Sequence, residues 1–455
     1  MIGFRKGTRV AVVLPIVSVI FFVALQLIRH SPDPQPERKY LKFRAEGVPV
    51  SKSAWSGVKY IRKYFNKRVL APDSIVDYFE RQSDLIASLK EPDDQDKILS
   101  LAFLGDIMWI RDSWSNFLSK DVRSYLEGMD LVFGNLETPI DTSLPVPAFF
   151  PDYFSYNSSP GLINSFNREE GGGSILTAVS VTNNHSFDRG SDGLIRTTEF
   201  LRGRGIGYSG IKDETGLSEE YLKFVKNGIR IGFYAASWGL NNPEDQEGDL
   251  KTNVIPGIAP LDAGAIDLSG LAGILRKMST DSIDVKILSL HWGYEFELYP
   301  DPEIIKVARM LAAKGADIII GSHPHVIQPN EICLFNGYRE LLNLTPGDTS
   351  RFCILSDSTG IPRKSLIIYS AGNFATAMYT PLCRLGAINS VSLFVNPATG
   401  KIDWTAPEVK YIYNTPSDPV NHQRKLMLWD EFIKELEQKS PSKATKVRNE
   451  VSIIF

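Results

Sequence analysis

A chain of 455 residues, 43% hydrophobic and 23% charged, has the composition of a globular protein and can build a sizeable core. Its 50 basic against 53 acidic residues leave a net charge of -3, so electrostatics gives no reason to expect a nucleic-acid partner. No internal repeat breaks the chain into copies.

The first element is apolar. Val10 to Ile28 carries no charge and follows Arg5, Lys6 and Arg9; as a helix it would rise roughly 28 Å, the thickness of a bilayer core. A cleaved signal peptide is the competing reading, but the run is long for one and no A-x-A site follows. The expectation is a single-pass anchor over 1–30, with the basic end cytoplasmic and the main domain extracytoplasmic at the cell membrane. "SPDPQPERK" then reads as an extended stalk. It opens a polar segment, 31–97, in which short helices are expected near 74–90.

From Ile98 the texture changes. The apolar "ILSLAFLG", the helix-like "SWSNFLSKDVRSYLEG" and the apolar "DLVFGN" form a strand, helix, strand unit, whose crossover makes the strands parallel. The pattern returns in "SILTAVSV" before "SDGLIRTTEFLRGRG" and in "DVKILSL" before "PEIIKVARMLAAKG", where Ile304, Ala308 and Leu311 share a helix face. "ADIIIG" and "KSLIIYSAG" add buried strands, while "YLKFVKNGIRIGFYAAS" and "INSVSLFVN" read as hairpin material. The class is α/β, with mixed sheets in a sandwich over 98–412. Segment 331–364 reads as an insertion. A C-terminal tail, 413–455, is expected to be helical, with Leu426, Trp429 and Ile433 near helical spacing.

Polar residues stand at the carboxyl end of each apolar run: Asp106; Asn135 and Glu137; Asn183, Asn184, His185 and Asp188; His291 and Glu295; His323 and His325; Asn373. Ligands of open α/β sheets bind at that edge, so these loops should converge. Singly, each has a structural role open to it. Asp106 can cap a helix, Asn183 or Asn184 can hold a turn, and His291 can be a hydrogen-bonded core histidine. Six such loops at one edge instead indicate a divalent metal site. A set of carboxylate, amide and imidazole donors without thiolate suits one or two ions of Mn, Fe or Zn. His323 and His325, flanking Pro324, can reach one small volume if their loop is extended. Cys333, Cys353 and Cys383 fit no zinc pattern. One pair, such as Cys333 with Cys353, can join in an oxidising compartment, and the odd count leaves at least one free.

The stretches "FLGDIM", "GNLETPI", "TNNHSFDRG", "LHWGYEFELYP", "GADIIIGSHPHVIQ" and "YSAGNF", spanning 98–374, resemble the CapA-like poly-γ-glutamate capsule biosynthesis proteins, a branch of the calcineurin-like metallophosphatase superfamily. The resemblance implies a calcineurin-like metallophosphatase sandwich of mixed β-sheets flanked by helices. It implies that Asp106 and His325 hold a first metal, that Asn184, His291 and His323 hold a second, and that Glu137 bridges them. The expected chemistry is hydrolysis by metal-bound hydroxide, with His185 as general acid oriented by Asp188. The same activated water would serve hydrolysis of a γ-glutamyl amide. Arg111 could meet an anionic substrate. One departure matters: the wider superfamily has Asp-x-His where this chain has Asp106-Ile107-Met108, so the first site has fewer protein ligands. Expected partners are the membrane, an anionic polymer or phosphoester substrate, and other capsule synthesis or export subunits. The rival reading is a non-catalytic assembly or export subunit that binds an anionic polymer, its metal structural.

Overall fold

The computed structural model describes residues 62–65, 71–89, 92–93, 96–110, 116–147, 155–212, 220–241, 250–255, 266–342, 352–418, 420 and 423–455. The expected anchor, the stalk and Arg111 lie outside these residues. No helix among the described residues is long and apolar enough to cross a membrane.

Strand β1 (Leu99–Met108) runs parallel to β2 (Leu131–Glu137), which continues in parallel to β3 (Ala178–Ser180) and β4 (Gly207–Ser209). The short β5 (Ile211–Lys212) precedes the hairpin of β6 (Leu222–Lys226) and β7 (Ile229–Ser237). Its turn residues, Asn227 and Gly228, both have positive φ, the geometry that matches the twist of a hairpin. β8 (Lys251–Thr252) pairs with β5. β7 is followed in parallel by β9 (Val285–His291) and β10 (Ile318–Ser322).

β11 (Ile327–Phe335) carries β12 (Cys353–Leu355) on one side and lies antiparallel to β13 (Arg363–Ala371), itself parallel to β10. β14 (Asn373–Ala375) and β15 (Leu385–Val395) both pair with β1. β16 (Ile402–Trp404), β17 (Glu408–Asn414) and β18 (Leu426–Leu428) complete the first sheet. The described strands make one nine-stranded and one seven-stranded sheet, besides the β5–β8 pair.

Side-chain alternation explains why the two large sheets face each other. Leu99, Leu101 and Phe103 of β1 join Ile231, Phe233, Ile287, Ile318, Ile320, Leu366 and Ile368 in one buried cluster between the sheets. The intervening Ala102 and Leu104 point the other way, to Val122, Leu126, Leu194 and Leu201 of the helices Lys120–Glu127 and Gly190–Arg202. Ile319, Ile367 and Tyr369 likewise leave the second sheet outwards, toward Leu271 and Leu275 of Ser269–Thr280 and Ile304, Ala308 and Leu311 of Pro302–Ala313. The result is four layers, helix, sheet, sheet, helix. Strands buried on both faces read as unbroken apolar runs, which is why they are visible in the sequence.

The helices Asp73–Glu80 and Gln82–Ser88 dock on the second sheet. Gln82 Oε1 accepts from Ile332 N–H at 3.0 Å, and Tyr78 hydroxyl donates to the buried Glu331, which Arg309 also holds at 2.6 Å. Cys333 and Cys353 are joined as a disulfide across β11 and β12, and Cys383 is buried and takes no part in it.

Four local expectations need correction. Residues 331–335 are the second half of β11 and pair with β13 at Glu331↔Ile367; they are core strand and no part of an insertion. Leu426 lies in β18, opposite Asn414, and the tail helix begins at Trp429, because backbone pairing with β17 wins over a helical spacing carried by three apolar residues. The run 174–181 forms only the three-residue strand β3. The His323–His325 loop is not extended: His323 and His325 have φ of 98 and 56.

Candidate metal centre

Register brings the centre together. Parallel pairing sets Asp106 beside Asn135 and Asn373, Met108 beside Glu137, and Ser322 beside His291, so the carboxyl ends of β1, β2, β9 and β10 share one edge. Close approach of β1 to the turn after β13 requires a glycine. A Cβ on Gly105 would stand 1.9 Å from Gly372 O, and Asp106 N–H donates to that carbonyl at 2.9 Å.

Asp106, Glu137, Asn184, His291, His323 and His325 are all buried. Donor atoms of Asp106, Glu137 and His291 lie within 4.8 Å of one another, as do those of Glu137, His323 and His325. Glu137 belongs to both triplets, and the triplets cross the division that the resemblance implies. Asn184 Oδ1 lies 2.8 Å from His291 Nε2, which is 3.7 Å from Glu137 Oε1. His325 Nε2 lies 3.8 Å from Glu137 Oε1 and 3.9 Å from Glu295 Oε1, so Glu295 stands at the same point.

Neighbouring groups fix the orientation. Asn135 Nδ2 donates to Asp106 Oδ1 at 2.8 Å, Asn373 Oδ1 lies 3.1 Å from His325 Nδ1, and Ser322 Oγ lies 3.1 Å from His291 Nδ1. His323 N–H donates to Asp106 Oδ2 at 3.1 Å. The left-handed backbone at His323 and His325 costs on the order of 1–3 kcal/mol per residue. That strain turns both rings inward, their centroids 5.8 Å apart.

The electrostatics calls for a cation. Glu137 is fully buried, and neither of its carboxylate oxygens accepts a hydrogen bond among the described residues. Burial, then the charges of Asp106 and Glu295, push its pKa well above the carboxylate range. Burial, with the neighbouring imidazoles adding to it, holds His291 well below its ordinary value, and burial brings His323 down to about 4. Both are therefore neutral near pH 7, the form that ligates metal. Burial also opposes the His325 imidazolium, but Asp106 and Glu295 outweigh it and raise its pKa. A divalent cation among these groups would give Glu137 the partner that a buried carboxylate needs. The residues present fit one.

Met108 and His185, neither of them expected as a ligand, make contacts of their own. Met108 is buried beside Glu137, but its sulfur accepts from Thr376 hydroxyl at 3.6 Å. His185 Nδ1 lies 2.6 Å from Asp188 Oδ2, forming a buried dyad with Nε2 on the far side of the ring. Tyr156 was not legible as part of this site. Its ring stacks on His185 at 3.8 Å and 10°, and its N–H donates to Asp188 Oδ2 at 2.6 Å. Arg189 pins its segment through Ser155 O and Tyr156 O. In the sequence it belongs to none of the polar clusters that close an apolar run, so nothing local marked it. Trp238, 5.5 Å from the His323 ring, follows β7, whose Ser237 pairs with His291; reading β7 as a parallel strand would have placed Trp238 at this edge.

Residues 100–378 match the family model described as "Bacterial capsule synthesis protein PGA_cap". The chain is 24% identical over 267 residues to the capsule biosynthesis protein CapA of Bacillus anthracis, covering 55% of this chain and 60% of that protein. It is 26% identical over 260 residues to the PGA biosynthesis protein CapA of Bacillus subtilis strain 168, covering 53% and 61%. The match therefore spans about three fifths of the length of these relatives. Similar solved structures include a 5'-nucleotidase precursor from Thermus thermophilus, at 14% identity, TM-score 0.37, and coverage of 76% of this chain and 59% of that one. Another is a novel phosphatase of Mycoplasma pneumoniae, at 13% identity, TM-score 0.35, and coverage of 69% and 93%.

Proposed function

The chain belongs to the bacterial capsule synthesis protein family, and from that premise we propose that its α/β domain is a calcineurin-like, metal-dependent phosphoester hydrolase acting in the making of an anionic capsule polymer of the poly-γ-glutamate type. The observation that carries this reading is Glu137, a fully buried carboxylate with no hydrogen-bond partner among the described residues, ringed by Asp106, His291, His323 and His325. Those five with Asn184 would hold one or two divalent ions, of Mn, Fe or Zn by donor type. Such ions supply Lewis-acid activation of water and offset charge on the phosphoryl oxygens.

The chain's own groups do the rest. Asp188 accepts from His185 Nδ1–H, which fixes the ring so that Nε2 can deliver a proton to the leaving oxygen. Tyr156, flat against that ring, holds its plane. Asn135, Ser322 and Asn373 hold the ligating side chains in place.

In this proposal Val10–Ile28 anchors the chain in the membrane, with the domain outside it and beside other synthesis or export subunits. The Cys333–Cys353 disulfide supports an oxidising compartment. A second reading, an assembly subunit binding the polymer around a structural metal, is favoured by Met108, which faces Thr376 where the superfamily has a ligand. The deciding experiment loads the full chain with Mn²⁺ and offers it phosphomonoesters, phosphodiesters and γ-glutamyl peptides. The hydrolase reading expects phosphoester turnover that EDTA abolishes; no turnover across the panel selects the assembly role.

A further inference from the structure

Away from the ligating residues, one cation is buried with no anion against it among the described residues. Arg384 is 7% exposed and ends the short helix Pro381–Arg384. Its Nε donates to Met378 O at 2.7 Å. The chargeable groups that act most on its guanidinium are Tyr413, Arg424, Tyr64 and Tyr379, and no carboxylate is among them. Arg424, itself 6% exposed, donates to Thr415 O at 2.8 Å. Burial lowers the pKa of Arg384, and Arg424 pushes in the same direction. A guanidinium stays charged at any physiological pH, so it cannot escape by losing its proton. Taking such a charge out of water without an opposite charge costs several kcal/mol by order of magnitude. Folds accept that cost where a ligand later supplies the counter-charge.

The position of this arginine gives it a use. Met378, whose carbonyl it holds, lies with its sulfur 3.6 Å from Asn373 Nδ2; the same amide donates to Cys383 O at 2.9 Å, and its oxygen faces His325 Nδ1. Tyr64 closes the other side: its hydroxyl accepts from Tyr379 N–H at 2.6 Å, and its ring meets Phe296, which is 6.1 Å from the His325 ring. Arg384 is thus built into the loop that flanks His325.

We propose that Arg384 is an anion subsite at the rim of the metal centre, taking a carboxylate or phosphate group that the substrate carries beyond the reacting bond. The inference deepens the proposed function and rests on that reading of the centre. Planar, two-pronged recognition of an oxyanion is what a guanidinium offers and an ammonium does not.

The test titrates the EDTA-treated full chain with a γ-linked glutamate oligomer and, separately, with inorganic phosphate. Because no metal is present, failure of the metal reading leaves this result unaffected. Wild-type chain should bind at least one probe saturably, Arg384→Gln at least about tenfold more weakly, and Arg384→Lys in between. Loss for the oligomer alone assigns a polymer carboxylate, and loss for phosphate alone assigns a phosphoester. Without probe, Arg384→Gln should melt no lower than wild type, and the probe should raise the melting temperature of wild type more than that of the variant. Saturable binding unchanged by Arg384→Gln, no saturable binding by wild type, or a lowered melting temperature with affinity retained would each overturn the subsite. If the glutamine variant does not fold, Arg384→Lys decides, since equal affinity there removes the two-pronged contact.

Discussion

Replacing Glu137 by glutamine is expected to strip the chain of its divalent cation and, at the same time, to stabilise the metal-free fold. The two effects have one cause. Glu137 is fully buried, touches both donor triplets and lacks a hydrogen-bond partner among the described residues. With a cation bound, its charge is the best ligand present; without one, burial and the charges of Asp106 and Glu295 oppose that charge and the carboxyl is left without a hydrogen-bond partner among the described residues. Losing an outer partner of a metal ligand lowers affinity about 10–100-fold, and losing this central carboxylate should do at least that. Relief of an unsatisfied buried group is worth about 1–3 kcal/mol, so the metal-free variant should melt a few degrees above metal-free wild type. Mn²⁺ at about 100 times its dissociation constant should stabilise wild type by about 2.7 kcal/mol and leave Glu137→Gln almost unmoved. Elemental analysis and melting curves with and without EDTA measure both. A variant that keeps full metal content would remove Glu137 from the centre.

His185→Ala should slow turnover of esters with poor leaving groups while sparing the metal. General acid catalysis by a positioned side chain contributes about 10²–10⁴-fold, and kcat on a phosphoester with a poor leaving group should fall by that factor. An ester whose leaving group needs no proton should be cut almost as fast by the variant as by wild type. Asp188→Asn should fall between them, because the ring keeps its stack on Tyr156 but loses the carboxylate 2.6 Å from Nδ1. Metal content should stay at the wild-type level in both variants. Equal loss on both ester types, or loss of metal, would make His185 a structural or ligating residue.

Much of the centre could be read from the sequence because parallel strands print their carboxyl ends as a repeated signature, an apolar run and then a polar cluster. Asp106, Glu137, Asn184, His185, His291, His323 and His325 all follow that rule; the structure brings Asp106, Glu137, His291, His323 and His325 together and sets Asn184 Oδ1 2.8 Å from His291 Nε2. The double burial of β1, β9, β10 and β13 made those runs continuous. What stayed hidden depends on contacts between distant segments. Tyr156 reaches His185 from a segment outside those clusters. Arg384 sits in "TPLCRLG", where nothing local distinguishes a buried arginine from a surface one. The left-handed backbone at His323 and His325 was also invisible, since such φ values usually fall on glycine or asparagine. β18 escaped because a three-residue strand has no period of its own, and its pairing with β17 is tertiary.

The most direct measurement is an anomalous difference map from crystals of the chain grown with Mn²⁺. Density is expected beside the Glu137 carboxylate, within coordinating distance of imidazoles from His291, His323 or His325 and of a carboxylate oxygen of Asp106. Saturating Mn²⁺ with no peak there, or peaks confined to other parts of the molecule, would contradict it.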